Sequence, residues 1–91
     1  MSDPHPYSLQ ISTRAKRDLA SLDRPIARRI MTKLFDLAAN AEMVDHYALC
    51  GEWQGLYRIR IGAYRVIYDL KQDKLIVLVL RVGHRRDVYR R

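Results

Sequence analysis

The sequence predicts an α+β domain of order β-α-α-β-β-β, with a helical hairpin packed on one face of a small, mostly antiparallel sheet. Three observations carry this expectation. Apolar residues recur at helical spacing from about Thr13 to Met43. From Leu56 onward the spacing changes to that of strands. Short breaks at Gly62-Ala63 and Gln72-Asp73 divide that second region into three strand-length runs. A chain of 91 residues has room for one such domain, taken as residues 1–91.

Each element follows from its local pattern. Tyr7 to Ile11 alternates apolar and polar residues and reads as a short strand. A first helix is expected over about Thr13 to Ser21, where Ala15, Leu19 and Leu22 form one apolar stripe. Asp23 is a suitable cap for a second helix, and Pro25 is tolerated in its first turn. The stripe of that helix is Ile26, Ile30, Leu34, Leu37 and Ala41, and it continues to about Met43. Only a residue or two separates the helices, which makes them a hairpin. Residues 44–55 read as a connection broken at Gly51 and Gly55, with Trp53 closing an edge of the core. Leu56 to Ile61 alternates, with Tyr57, Ile59 and Ile61 on one face and Leu56, Arg58 and Arg60 on the other. A tight turn leads into Tyr64 to Leu70. Leu75 to Val82 is apolar on both faces, as a central strand would be. Gly83 ends it, and His84 to Arg91 is a basic tail.

Composition narrows the function classes. Six residues, Leu75 to Leu80, make the longest apolar run, far too short to cross a membrane. The opening Met-Ser-Asp-Pro-His-Pro lacks the basic-then-apolar pattern of a secretory signal, and the single cysteine, Cys50, suits a reducing compartment. The expected location is therefore the cytoplasm. The net charge of +7 is unevenly placed. Residues 1–55 are neutral, with seven cations and seven anions, whereas residues 56–91 hold ten cations and three anions. Eight of those ten cations are arginines, whose planar fork fits phosphate oxygens. A one-sided, arginine-rich excess is expected to meet phosphate or nucleic acid.

Strand alternation places Arg58 and Arg60 on one face, and Arg65 comes from the next strand just past the turn. Arg85 and Tyr89 follow the central strand, with His84 close by in sequence. If the helices cover one face of the sheet, these residues should converge on the other. Such a face should be open, with little concavity. Cleaving RNA through its own 2′-hydroxyl requires removal of that proton, stabilisation of charge on the phosphate, and a proton for the leaving 5′-oxygen. Arginine supplies the second and hardly the others, because it stays protonated. His84 and Tyr89 are the neighbouring groups with useful acid-base chemistry. No His pair or carboxylate cluster suggests a metal site.

Two blocks carry a resemblance. Gly55-Leu56-Tyr57-Arg58-Ile59-Arg60-Ile61-Gly62-Ala63-Tyr64-Arg65-Val66-Ile67-Tyr68 and Val82-Gly83-His84-Arg85-Arg86-Asp87-Val88-Tyr89 resemble the signature of RelE-family toxins, and the likeness extends over essentially the whole chain. The first block alone is shared with ParE-like relatives. The resemblance implies a RelE-like fold and a metal-independent endoribonuclease with no cofactor, which cuts mRNA in the ribosomal A site and inhibits translation. It also implies contact with the 16S rRNA of that site and a cognate RelB-like antitoxin. By the same resemblance Arg58 and Arg60 stand at the family's basic pair and Arg65 at its phosphate-contacting arginine. Arg85 stands at its leaving-group or phosphate arginine, with Arg86 the neighbouring register, and Tyr89 at its stacking tyrosine. Arginine at both paired positions leaves the general base open, with His84 one candidate. Two alternatives remain: a ParE-like, non-catalytic inhibitor of DNA gyrase, and a plain nucleic-acid-binding module.

Overall fold

In the computed structural model, which describes residues 6–86, two helices lie against a five-stranded sheet of order β1-β5-β4-β3-β2. In chain order the elements are β1 (Ser8–Ile11), α1 (Thr13–Ala20), α2 (Arg24–Ala39), β2 (Tyr47–Ala48), β3 (Tyr57–Ile61), β4 (Tyr64–Lys71) and β5 (Ile76–His84). A single 3₁₀ turn, Gly51–Trp53, lies between β2 and β3. The strands β2 to β5 pair antiparallel, and β1 alone runs parallel to β5. The expected α+β architecture and the one-sided helical hairpin are therefore observed. The strand β2 was not expected. It has only two residues, fewer than an alternating pattern needs to show.

The helices begin where their caps allow. Ser12 accepts a hydrogen bond from the Ala15 N–H at 3.1 Å and so caps α1. At α2, Asp23 occupies the cap position without a side-chain cap bond, and Pro25 sits in the first turn. The second helix ends at Ala39, four residues before the expected Met43. Asn40 stops it by donating its own N–H and its side-chain amide to the Asp36 carbonyl. Ala41 remains buried beyond the helix end, which is why the apolar period outruns the helix.

The core lies between the helices and one face of the sheet. Ala15, Ile30, Leu34, Leu37 and Ala38 from the helices meet Ile61, Val66, Tyr68, Val77, Val79 and Val82 from the strands. The positions in β5 do not keep strict alternation, because a bulge shifts the register between Ile67 and Tyr68. Arg81 pairs with Ile67 and Val79 with Tyr68, so Leu80 is the extra residue. The bulge lets Val77, Val79 and Val82 all face the helices. It also falls where β1 has ended and β5 would present a bare edge. Asp18 of α1 closes that edge by accepting the Val82 N–H at 2.9 Å and Arg81 Nε at 3.1 Å. The carboxylate thus joins α1 to the sheet through both a backbone and a charged partner.

The hairpin joining β3 to β4 has two residues, Gly62 and Ala63. Gly62 takes φ 60°, the left-handed conformation such a short turn requires at its first position. At the opposite edge, β2 pairs only with Tyr57 and Arg58. Among the described residues, the outer edge of β3 from Ile59 to Ile61 consequently has no strand beside it.

Candidate functional site

The arginine-bearing face is built by the register of β3, β4 and β5. Residues paired directly across antiparallel strands share a face. Ile61 pairs with Tyr64, Ile59 with Val66 and Tyr57 with Tyr68, and all of these face the helices. Arg60 pairs with Arg65, and Arg58 with Ile67, on the opposite face. Arg58 and Arg60 lie about 7 Å apart along the strand. Gly83 pairs with Arg65, so no side chain fills the place beside Arg65 on β5. Arg85 follows just past β5, exposed, with its N–H bonded to the Ala63 carbonyl at 2.9 Å. Arg58, Arg60 and Arg65 therefore share the face away from the helices, and Arg85 lies in the turn just past β5.

His84 does not join them. It pairs with Tyr64, whose ring packs against the core, and so points to the helix side. The two rings meet edge to face at 5.9 Å. Asp18, Ser21, Leu22, Arg81 and His84 line a small hollow there. His84 Nδ1 accepts the Arg86 N–H at 3.3 Å, which makes His84 a turn-stabilising residue. The expectation that it lies beside the arginines is corrected, because its pairing with Tyr64 turns it to the helix side. Tyr89, with Asp87 and Val88 of the second signature block, lies outside the described residues.

Two features were missed by the sequence reading. The first is a groove of about 680 Å³ between the C-terminal half of α2, the segment 44–47 and the outer edge of β3. Leu37, Val44, Ile59 and Tyr68 give it apolar walls, and Lys33, Asp36, Asp45, Arg58 and Arg60 bring charge to it. The expectation of little concavity fails here because β2 is too short to cover β3. The second is Tyr47, which pairs with Arg58 and so shares the arginine face. The Arg58 guanidinium carbon sits 4.0 Å from the centre of its ring.

A partly buried polar cluster fixes the segment carrying Tyr47. His46 Nε2 lies 2.7 Å from the Ala41 carbonyl, and His46 Nδ1 lies 2.6 Å from the Tyr68 hydroxyl. A carbonyl can only accept, so Nε2 carries the proton, and in the neutral ring Nδ1 accepts from Tyr68. Burial, and secondarily the neighbouring Tyr57, push the Tyr68 phenol up to about 12. Tyr68 therefore stays a donor. The rings of Tyr57 and Tyr68 stack at 5.8 Å, with His46 edge-on to both.

What this arrangement can do is set by its charge. Guanidinium groups on one open face stabilise phosphate and the charge that develops on it. Among the described residues no three His, Cys, Asp or Glu side chains group to hold a metal, and no helix is long and apolar enough to cross a membrane.

The fold and this basic face define a small α+β domain with a phosphate-suited sheet surface. A family model for the ParE toxin of the type II toxin–antitoxin system parDE matches residues 9–89. The chain is 33% identical over 86 residues to toxin RelG of Mycobacterium tuberculosis, covering 94% of this chain and 99% of that one. It is 32% identical over 90 residues to toxin RelE of the same organism, covering 99% and 93%. The toxin–antitoxin complex RelBE2 of Mycobacterium tuberculosis contains a chain that superposes with a TM-score of 0.80 at 34% identity, covering 90% of this chain and 94% of that one. The protein belongs to the RelE/ParE family of toxins of type II toxin–antitoxin systems.

Proposed function

We propose that this toxin is a ribosome-dependent mRNA endonuclease that cuts in the A site and so halts translation in the cytoplasm. The observation that carries the reading is the placing of Arg58, Arg60 and Arg65 on the sheet face away from the helices, with Arg85 in the turn just past β5. Similarity to RelE and RelG toxins supports it.

The reaction is attack of a 2′-hydroxyl on the adjacent phosphorus. The P–O5′ bond breaks, leaving a 2′,3′-cyclic phosphate and a 5′-hydroxyl. Arg65 stabilises the charge on the phosphate, with Arg58 and Arg60 beside it, and Arg85 or Arg86 meets the phosphate or the leaving oxygen. Tyr89 stacks on a base and orients the message. Since His84 points to the other face, it is set aside as the general base. Arg58, Arg60 and Arg65 supply no acid-base pair of their own, so the ribosome must hold the message in reactive geometry. Orientation of this kind contributes about 7–11 kcal/mol in favourable cases. Neutralisation falls to a RelB-like antitoxin, as in the RelBE2 complex of the related toxin. An acidic segment of such a partner fits the groove and the open edge of β3, where it would cover Arg58 and Arg60.

Purified toxin should cut mRNA in translating ribosomes and leave free RNA nearly intact, with 5′-hydroxyl ends. Rapid cutting of naked RNA, or 5′-phosphate ends, would overturn the reading. The match to the ParE family model favours a second reading, a non-catalytic inhibitor of DNA gyrase. Expression without antitoxin separates the two: intact messages with stalled DNA replication would select gyrase.

A further inference from the structure

We propose that Tyr47 and Arg58 form a nucleobase-stacking platform at the β2 end of the arginine face. Three observations support it. The register pairs Tyr47 with Arg58, on the same face as Arg60 and Arg65. The Arg58 guanidinium lies over the Tyr47 ring at 4.0 Å. Tyr47 nevertheless remains 63% exposed, so neither Arg58 nor the core buries it.

An exposed aromatic ring can take a planar partner on its free face. Here the partner's chemistry is set by the neighbours. Phosphate is the natural anion for the arginines two residues along β3 and across it on β4. A base attached to that phosphate reaches the ring within about 7 Å along the strand. Unstacked RNA bases pack on tyrosine rings and on guanidinium planes, and this pair offers both. The platform is also rigid. The hydrogen bonds of His46 to Tyr68 and Ala41 anchor the residue next to Tyr47. Stacking does not read hydrogen-bond edges, but it grows with ring area, so the platform prefers a purine to a pyrimidine at the nucleotide it holds.

This inference rests on the proposed RNA cleavage, and the test separates the two. Single-turnover cleavage on ribosomes is measured for wild type, Tyr47→Ala and Tyr47→Phe, with purine or pyrimidine at each position of the A-site codon. In parallel, the full chain is titrated with an uncleavable 2′-O-methyl RNA trinucleotide while the tyrosine ring protons are followed by NMR. If wild type cleaves, Tyr47→Ala should lose about five- to a hundredfold in rate on the preferred purine message and less on the pyrimidine one. Tyr47→Phe should restore the rate and the preference, and the Tyr47 ring protons should shift upfield with the trinucleotide. A Tyr47→Ala protein that melts like wild type, cleaves at the wild-type rate and keeps the base preference would overturn the platform. So would a Tyr47→Ala loss equal for all bases, which would mean that Tyr47 only props Arg58. If wild type does not cleave, the cleavage reading fails, and the NMR titration alone decides the platform: upfield shifts support it and unmoved ring protons overturn it.

Discussion

Arg60 faces Arg65 directly across the β3–β4 ladder, with Arg58 two residues away on the same face. Like charges placed directly opposite in a sheet destabilise it by about 0.2–1 kcal/mol. Removing one of them should therefore stabilise the fold, and Arg60 is the suitable choice because it is exposed. Arg60→Gln keeps a long polar side chain and removes the charge. For a domain of this size a gain of 0.2–1 kcal/mol raises the melting temperature by about 1–8 °C. Arg60→Glu converts repulsion into attraction and should melt higher still. Thermal unfolding followed by circular dichroism at about 0.01 M and about 1 M salt checks the cause, since the screening length falls from about 30 to about 3 Å over that range. The gain should shrink at high salt. If the proposed function holds, the same variants should cut ribosome-bound mRNA at least about tenfold more slowly, because that reading sets Arg60 against phosphate. A less stable Arg60→Gln protein, or a gain that salt leaves unchanged, would refute the view that these arginines are held together against their mutual repulsion.

Other expectations test separate parts of the structure. Arg65→Ala should lower the single-turnover rate by roughly a hundredfold or more, since a charged donor aimed at developing charge contributes about 3–4 kcal/mol. Ribosome binding, measured by cosedimentation, should fall less because several cations share it. Asp18→Ala removes the acceptor of both the Val82 N–H and Arg81 Nε. It should reduce stability by about 2–4 kcal/mol in urea unfolding, and a loss below about 1 kcal/mol would contradict the role given to Asp18. Tyr68 ionises near 10.0 unfolded and near 12 folded. Between those values the unfolded chain binds fewer protons, so stability falls as pH rises through that window, by on the order of 2 kcal/mol. Tyr68→Phe should begin less stable at neutral pH and fall less steeply from pH 10 to 12.

Elements with an apolar period were legible from the sequence, and those that depend on long-range pairing were not. The stripe Ile30, Leu34 and Leu37 located α2, and alternation around Arg58 and Arg60 located β3 and its open face. The bulge in β5 left no mark, because Leu75 to Leu80 is apolar throughout and a shifted register reads the same. Leu75 itself takes φ 55°, so β5 begins at Ile76, one residue later than expected. In the sequence Asp18 is one charge among several in α1, with nothing to mark it out. Only the absence of β1 beside residues 80–82 turns it into an edge-closing group. His84 shows the opposite error. Proximity in sequence to Arg85 suggested a shared site, whereas adjacent residues at the end of a strand face opposite ways. Tyr47 was hidden in a presumed connection because its two-residue strand is defined by a partner, not by a pattern.

The two edges of the sheet are treated differently, and the difference bears on function. At β5 the bare edge is closed from within by Asp18, which adds a charged bond to the core side. At β3 the edge from Ile59 to Ile61 has no strand beside it among the described residues, and it borders a groove with apolar walls. An open strand edge with apolar walls invites pairing with another chain. Arg58 and Arg60 belong both to that groove and to the arginine face, so a single strand serves two surfaces. Under the proposed function this makes the two occupants exclusive: an antitoxin segment along β3 would meet the same arginines that phosphate needs. An acidic segment would also relieve the repulsion between Arg60 and Arg65. Neutralisation should then stabilise the toxin by more than the buried apolar area accounts for, and Arg60→Gln should remove that excess.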